Sequence, residues 1–229
     1  MFRAPSFQSF IVQYGILLNI AVNLDMLIKR SDYYRIYRVI NSIIEAEKGN
    51  PAYACQFFSA FGSVILADHY KLDARPKAGL AAYHFGGDNE ALVFGEMEAN
   101  CVTGDGDAYH CWIEVDGWAI DFMAPNFPAI DGVSSEVPSK MFQKKLETMC
   151  DDLNDLSDAG DFFYASSPET TFRHMAPLAE KIGYSELARI CSMWFKKPPK
   201  KKPSSIQMAN QNGERIAVNL KGAPLAGTW

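Results

Sequence analysis

The stretch HCWIEVDGWAID, residues 110–121, constrains the fold more than any other segment of the chain. Two arms rich in strand formers flank Asp116-Gly117, a dipeptide suited to a two-residue hairpin turn because both turn positions require positive φ. Such a turn sets the register. Val115 faces Trp118, Glu114 faces Ala119, Ile113 faces Ile120, Trp112 faces Asp121, Cys111 faces Phe122 and His110 faces Met123. Side chains alternate along a strand, so Cys111, Ile113, Val115, Trp118, Ile120 and Phe122 form one apolar face that belongs in a core. His110, Trp112, Glu114, Ala119, Asp121 and Met123 form the other. There His110 and Asp121 are diagonal neighbours with Cβ atoms about 6–8 Å apart, within reach of an imidazole–carboxylate contact.

The pattern on either side of this hairpin is helical. Tyr33, Ile36, Tyr37, Ile40, Ile43 and Ile44 recur at three- and four-residue spacing and predict a helix over 32–48, with Ser31 or Asp32 as its cap. The apolar run before it predicts a helix over 7–29. Gln13, Asn19, Asn23 and Asp25 interrupt that run, which favours an amphipathic or core helix over a membrane anchor or signal peptide. Gly49-Asn50-Pro51 stops one helix and starts the next, Asn50 serving as cap and Pro51 fitting a first turn. That next helix, 52–69, is apolar nearly all round and is expected to be central and buried. Strands are expected at Lys77–Phe85, Ala91–Met97, Tyr109–Val115 and Trp118–Met123, then helices at 139–156, 168–182 and 184–195.

The order points to an α+β fold: a central buried helix packed on an antiparallel β-sheet, with flanking helices. The expected organisation is one domain over 1–195, with a helical segment over 1–50, a core over 50–125 and a second helical segment over 134–195. A basic, Pro-rich linker follows at 196–205, then a C-terminal hairpin and tail at 206–229 turning at Asn212-Gly213. The hairpin is free to dock on the core, on a partner or on a second copy, so an oligomer through it is an open expectation.

A hydrophobic content of 48% and an aromatic content of 13% suit a packed core. A net charge of −5 gives no general electrostatic reason to bind nucleic acid or an anionic membrane. The 5 cysteines form no CxxC pair and are odd in number, as expected of reduced thiols in a cytoplasmic protein. No metal is expected. His110 and Cys111 are adjacent and point to opposite faces, and Asp105-Gly106-Asp107 lacks the remaining ligand positions of a calcium loop. His69 suits a helix C-terminus, and His84 and His174 are expected to be structural or to line a cleft.

A histidine held by a carboxylate is an oriented base that needs a nucleophile. Cys55 is placed to supply it, in the first turn of the helix that follows Pro51, where unpaired N–H groups and the helix dipole stabilise a thiolate. The same N–H groups offer an oxyanion site. Asn50 and Gln56 are side-chain candidates for that role, and Trp112 and His84 are candidates to wall the cleft.

The order Cys55, His110, Asp121, with the cysteine opening a core helix and the other two on neighbouring strands, resembles the papain-like cysteine enzyme superfamily. Within it the transglutaminase-like core is the nearest likeness, the group that includes arylamine N-acetyltransferases and lasso-peptide leader peptidases. HCWIEVDGWAID is similar to the histidine–aspartate hairpin of the latter, and the likeness covers about residues 50–125. A bacterial domain of unknown function within that superfamily is the implied placement. The resemblance implies Cys55 as nucleophile, His110 as general base and acid, and Asp121 as orienting carboxylate, with no cofactor. The implied activity is a thiol-dependent peptidase or amidase acting through an acyl-enzyme on a peptide or a small amide or ester. Acyl transfer of the transglutaminase type on the same triad is the alternative. Gln56 stands where many transglutaminase-like members carry an aromatic, and no glutamine lies a few residues before Cys55 to act as a papain-type oxyanion donor. Outside thiol chemistry, a catalytically silent binding or assembly module and a metal-dependent hydrolase remain as other classes.

Overall fold

The computed structural model describes residues 26–87, 91–98, 101–104, 108–196, 200–210 and 212–229. The helix expected over 7–29 falls largely on residues 1–25, outside the described residues.

Helix α1, Arg30–Ala46, buries the stripe of Tyr33, Ile36, Tyr37, Ile40, Ile43 and Ile44. After it Asn50 caps a single 3₁₀ turn, Pro51–Tyr53, by accepting from the Ala52 N–H. Helix α2, Cys55–Tyr70, then enters the core. The strands follow: β1 Arg75–His84, β2 Ala91–Phe94, β3 Glu96–Glu98, β4 Cys101–Thr103, β5 His110–Val115 and β6 Trp118–Asp121. Further along come β7 Phe142–Lys145, β8 Phe162–Ser166, helices α3 Pro168–Glu180 and α4 Ile182–Phe195, and the hairpin β9 Ser205–Ala209 with β10 Arg215–Asn219.

The main sheet is antiparallel, in the order β2-β1-β5-β6-β7 with β8 also on β1. The first half of β1 pairs with β5, and its second half pairs with β2 and β8. The hairpin register is the one expected, with Ile113 opposite Ile120, Glu114 opposite Ala119 and Val115 opposite Trp118. Asp116 and Gly117 both take positive φ, 48° and 76°, which curls the connection with the twist of the strands.

Three expectations change. The helix expected over 139–156 is instead β7 followed by two isolated 3₁₀ turns, Leu146–Thr148 and Leu153–Asp155. Phe142–Lys145 holds good helix formers, yet it completes the ladder of β6, Asp121 pairing with Phe142, and tertiary pairing outweighs local propensity. The strand expected over Ala91–Met97 breaks at Gly95, where a Cβ would lie 2.6 Å from Leu80 Cδ1, so β3 leaves the main sheet and pairs with β4. Two further strands lie beyond those expected, β4 and β8, the second of which covers the far edge of β1.

The C-terminal hairpin is docked on its own chain. Met208 and Val218 are buried, and Lys221, Ala223 and Leu225 hydrogen-bond to Ser42, Tyr37 and Arg30 along α1. Thr228 bridges Met141, and Trp229 packs on Phe85 with ring centroids 5.0 Å apart.

The sheet has two buried faces. On one, α2 lies so close to β5 and β6 that a Cβ on Gly62 would meet Phe122 at 2.5 Å and Ile113 at 2.9 Å. On the other, the curl of the sheet closes over Tyr83, Trp112, Phe142, Phe162 and Tyr164, which pack ring against ring. No helix among the described residues is long and apolar enough to cross a membrane.

Candidate active site

The inner face of the hairpin holds two titratable groups in an aromatic interior. His110 is 0% exposed and Asp121 1%. The imidazole is stacked on Phe94 at 4.2 Å between ring centroids and meets Tyr83 edge-on. Its Nε2–H donates to Asp121 Oδ2 at 2.7 Å, the diagonal contact that the hairpin register predicts.

A buried carboxylate is costly unless its oxygens are satisfied. Here Oδ2 also accepts from the Tyr83 hydroxyl at 2.7 Å, and Oδ1 accepts from the Met123 N–H at 2.8 Å. The Tyr83 oxygen lies 2.9 Å from that of Tyr164. Tyr33 donates to the Asp121 main-chain carbonyl and itself accepts from the Phe142 N–H. Asp121 is thus fixed by backbone and side-chain partners from β1, β5, β7, α1 and the residues just after β6.

Cys55 is the first residue of α2 and is 8% exposed. The first N–H groups of a helix lack intrahelical acceptors, and the N–H groups of Phe57 and Phe58 turn back to the Ala54 carbonyl. Those of Cys55 and Gln56 lie at the positive end of the helix dipole. The Cys55 thiol interacts with the His110 ring. Nε2 is taken by Asp121, and Nδ1, buried and making no hydrogen bond of ordinary geometry, is the nitrogen left to face the sulfur.

The electrostatics follow from this packing. The Cys55 thiol is pulled down to about 5, first by the hydrogen bond from Cys111, against the opposing effect of burial, and then by the bond to and charge of His110. Burial pushes Cys111 well above the usual thiol range, so it keeps its proton and donates. Burial alone would lower His110, but the charge and hydrogen bond of Asp121, with the Cys55 contact, raise it to about 9. Both shifts run in the direction that favours a thiolate beside an imidazolium.

The structure therefore brings Cys55, His110 and Asp121 together. It places the other sequence-predicted candidates differently. Asn50 is exposed and committed to its cap, and Gln56 is half-buried directly after the thiol. Trp112 is wholly buried, stacked on Tyr164 at 4.2 Å and donating to Glu114, so it builds the interior and not an open cleft wall. His84 ends β1, where its Nδ1 accepts from the Gly86 N–H. Sequence reasoning misses Tyr83, Tyr164 and Cys111, which look like core residues in a linear reading. Only Tyr83 carries a signal, as a phenol in the otherwise small and apolar run GLAAY.

A groove of about 620 Å³ on the helical side, lined by Pro76, Thr171, Phe172 and Met175 among others, includes none of the three residues. Among the described residues no three His, Cys, Asp or Glu side chains converge on one point as a metal site requires.

An α+β chain with a cysteine opening its central helix and a buried His–Asp hairpin is the class that fold and site define. Residues 29–229 match the model of the family described as "Protein of unknown function (DUF2026)", and the chain belongs to that family. A crystal structure titled only as a genomics target is similar at 46% sequence identity and a TM-score of 0.80, over 89% of this chain and 98% of that one. No curated protein matches the chain.

Proposed function

We propose that the protein is a thiol-dependent acyl-group enzyme, most simply a peptidase or amidase, built on a papain-like, transglutaminase-like core. The supporting observation is the buried contact of His110 with Asp121 at 2.7 Å, its Nδ1 turned to a cysteine at a helix N-terminus. In the proposed cycle the Cys55 thiolate attacks the carbonyl carbon of an amide or ester. The N–H groups heading α2 receive the developing oxyanion. The tetrahedral adduct collapses, the C–N or C–O bond breaks, and the Nδ1–H of His110 protonates the leaving group. The neutral imidazole next takes a proton from water, hydroxide attacks the thioester, and the acid leaves as the thiolate–imidazolium pair is restored. Asp121 remains a carboxylate throughout and holds the ring. Attack by an amine in place of water turns the same steps into acyl transfer.

The substrate on this reading is a peptide or a small amide or ester, and two reduced neighbouring thiols suit a cytoplasmic setting. The near-burial of Cys55 favours a second reading, a silent module that retains the fold. Iodoacetamide labelling across pH, with the modified residue located by mass spectrometry, separates the two. An enzyme gives preferential labelling of Cys55 below about pH 7 that is lost in His110→Ala. Equal labelling of Cys55 in the two proteins, or none, rejects the thiol enzyme.

A further inference from the structure

The Asp121 carboxylate receives more than the histidine. Tyr83 lies on β1 and reaches Oδ2 at 2.7 Å, the same oxygen that His110 uses. Tyr164, on β8, sits 2.9 Å from the Tyr83 oxygen. Hydrogen counting orders the three groups. A carboxylate can only accept, so the one hydroxyl proton of Tyr83 is given to Asp121. The Tyr83 oxygen is then an acceptor, and the proton between the two phenols belongs to Tyr164. The chain runs Tyr164 to Tyr83 to Asp121, with His110 donating to the same end point. Burial, followed by the charge of Asp121, holds both phenols well above their usual range, so both stay protonated donors.

We infer that Tyr83, supported by Tyr164, is a positioning residue of the thiol site: it withdraws charge from Asp121 Oδ2 and so keeps the His110 imidazolium acidic enough to protonate a leaving group. This rests on the reading of Cys55 and His110 as a thiol–imidazole pair. A carboxylate shared with a phenol is a weaker acceptor for Nε2–H, and the imidazolium it supports gives up its proton more readily. Loss of the phenol does not release the carboxylate, because Oδ1 stays on the Met123 N–H and the Asp121 carbonyl stays on Tyr33. The effect of its removal is therefore on charge, and its sign is defined.

The test is an NMR titration of the histidine ring carbons, in a chain that has only 4 histidines, with His110 assigned by difference from His110→Ala. In Tyr83→Phe the His110 midpoint is expected to rise, by about half a unit to one unit above that of the natural protein. Tyr164→Phe leaves the Tyr83–Asp121 bond in place, and a smaller rise is expected. It carries the test if Tyr83→Phe does not fold. An unchanged or lowered His110 midpoint in the folded variants overturns the inference, and a purely structural role predicts the lowering, since a loosened Asp121 supports the imidazolium less. Cys55→Ala tests the underlying reading separately. It must lower the His110 midpoint by removing the thiolate; if it does not, the thiol–imidazole pair is wrong, whatever the tyrosine variants do.

Discussion

A thiolate–imidazolium pair in a buried site must leave a trace in folding stability as well as in reactivity. The Cys55 thiol is depressed from 9.0 to about 5 in the folded chain. A depressed acid contributes stability that is full above its unfolded value and is lost as pH falls through the folded value. His110 is raised from 6.5 to about 9, so its contribution is full below 6.5 and is lost as pH rises toward 9. Between about 5 and 6.5 the imidazole is protonated in both states, while the thiol is ionised only in the folded one. The unfolded chain then binds one more proton, and stability rises by about 1.4 kcal/mol per pH unit. Over this interval the gain is about 2 kcal/mol. From about 6.5 to 9 the two groups oppose each other, one proton more in each state, and their slopes cancel. Urea denaturation at a series of pH values, for the natural protein and for Cys55→Ser, isolates the thiol over this interval, because Asp121 supports the His110 imidazolium in both. The expected difference in stability grows by about 2 kcal/mol from pH ~5 to ~6.5 in favour of the cysteine. Parallel curves over that range would refute the thiolate and, with it, the charge state on which the proposed attack depends.

Two further outcomes test the packing around the site. Replacing Cys111 by alanine removes the hydrogen bond that contributes most to the acidity of Cys55, so thiolate ultraviolet absorbance, read against Cys55→Ser, should appear at distinctly higher pH. Cys111→Ser, which keeps a donor, should restore some of the shift, and an unmoved titration in the alanine variant would show that Cys111 is only a core residue. Gly62→Ala places a methyl 2.5 Å from Phe122 and 2.9 Å from Ile113. Alanine's better helix propensity offsets roughly 1 kcal/mol, against an overpacking cost of about 1–3 kcal/mol, so net destabilisation on the order of 1 kcal/mol is expected by urea denaturation. A stabilised variant would contradict the close contact of α2 with the hairpin.

The features of the site that could be read from the sequence are those fixed by short-range rules. Asp116-Gly117 specifies a turn, the turn specifies a register, and the register puts His110 diagonal to Asp121. Asn50-Pro51 specifies a helix entry, which leaves Cys55 at the positive end of α2. What could not be read depends on pairing across long stretches of chain. Tyr83 reaches Asp121 from a strand 38 residues earlier, and Tyr33 from a helix 88 residues earlier. The run GLAAY marks Tyr83 as unusual, but nothing local names its carboxylate partner, and Tyr33 carries no mark at all. The same holds for β7, whose residues suit a helix until β6 offers an unpaired edge. The second buried face escapes a sequence reading for a related reason. Alternation divides a hairpin into two faces but does not say that the sheet curls so that both are covered.

That second burial changes what the His–Asp pair means. On an exposed face the pair would be nearly free of desolvation cost, and its presence would say little. In this interior both ions are stripped of water, and an apolar pair of similar volume would serve stability as well or better. The chain instead surrounds the pair with donors, one from the Tyr83 phenol and one from the Met123 backbone, while leaving His110 Nδ1 without an ordinary hydrogen bond. A structural ion pair gains from satisfying every polar atom with well-formed hydrogen bonds, and the contact of Nδ1 with the Cys55 thiol falls short of ordinary geometry. The combination of a carboxylate satisfied on both oxygens and a ring nitrogen turned to a thiol in the first turn of α2 is what the proposed general base requires. It runs counter to what a core would select for stability alone.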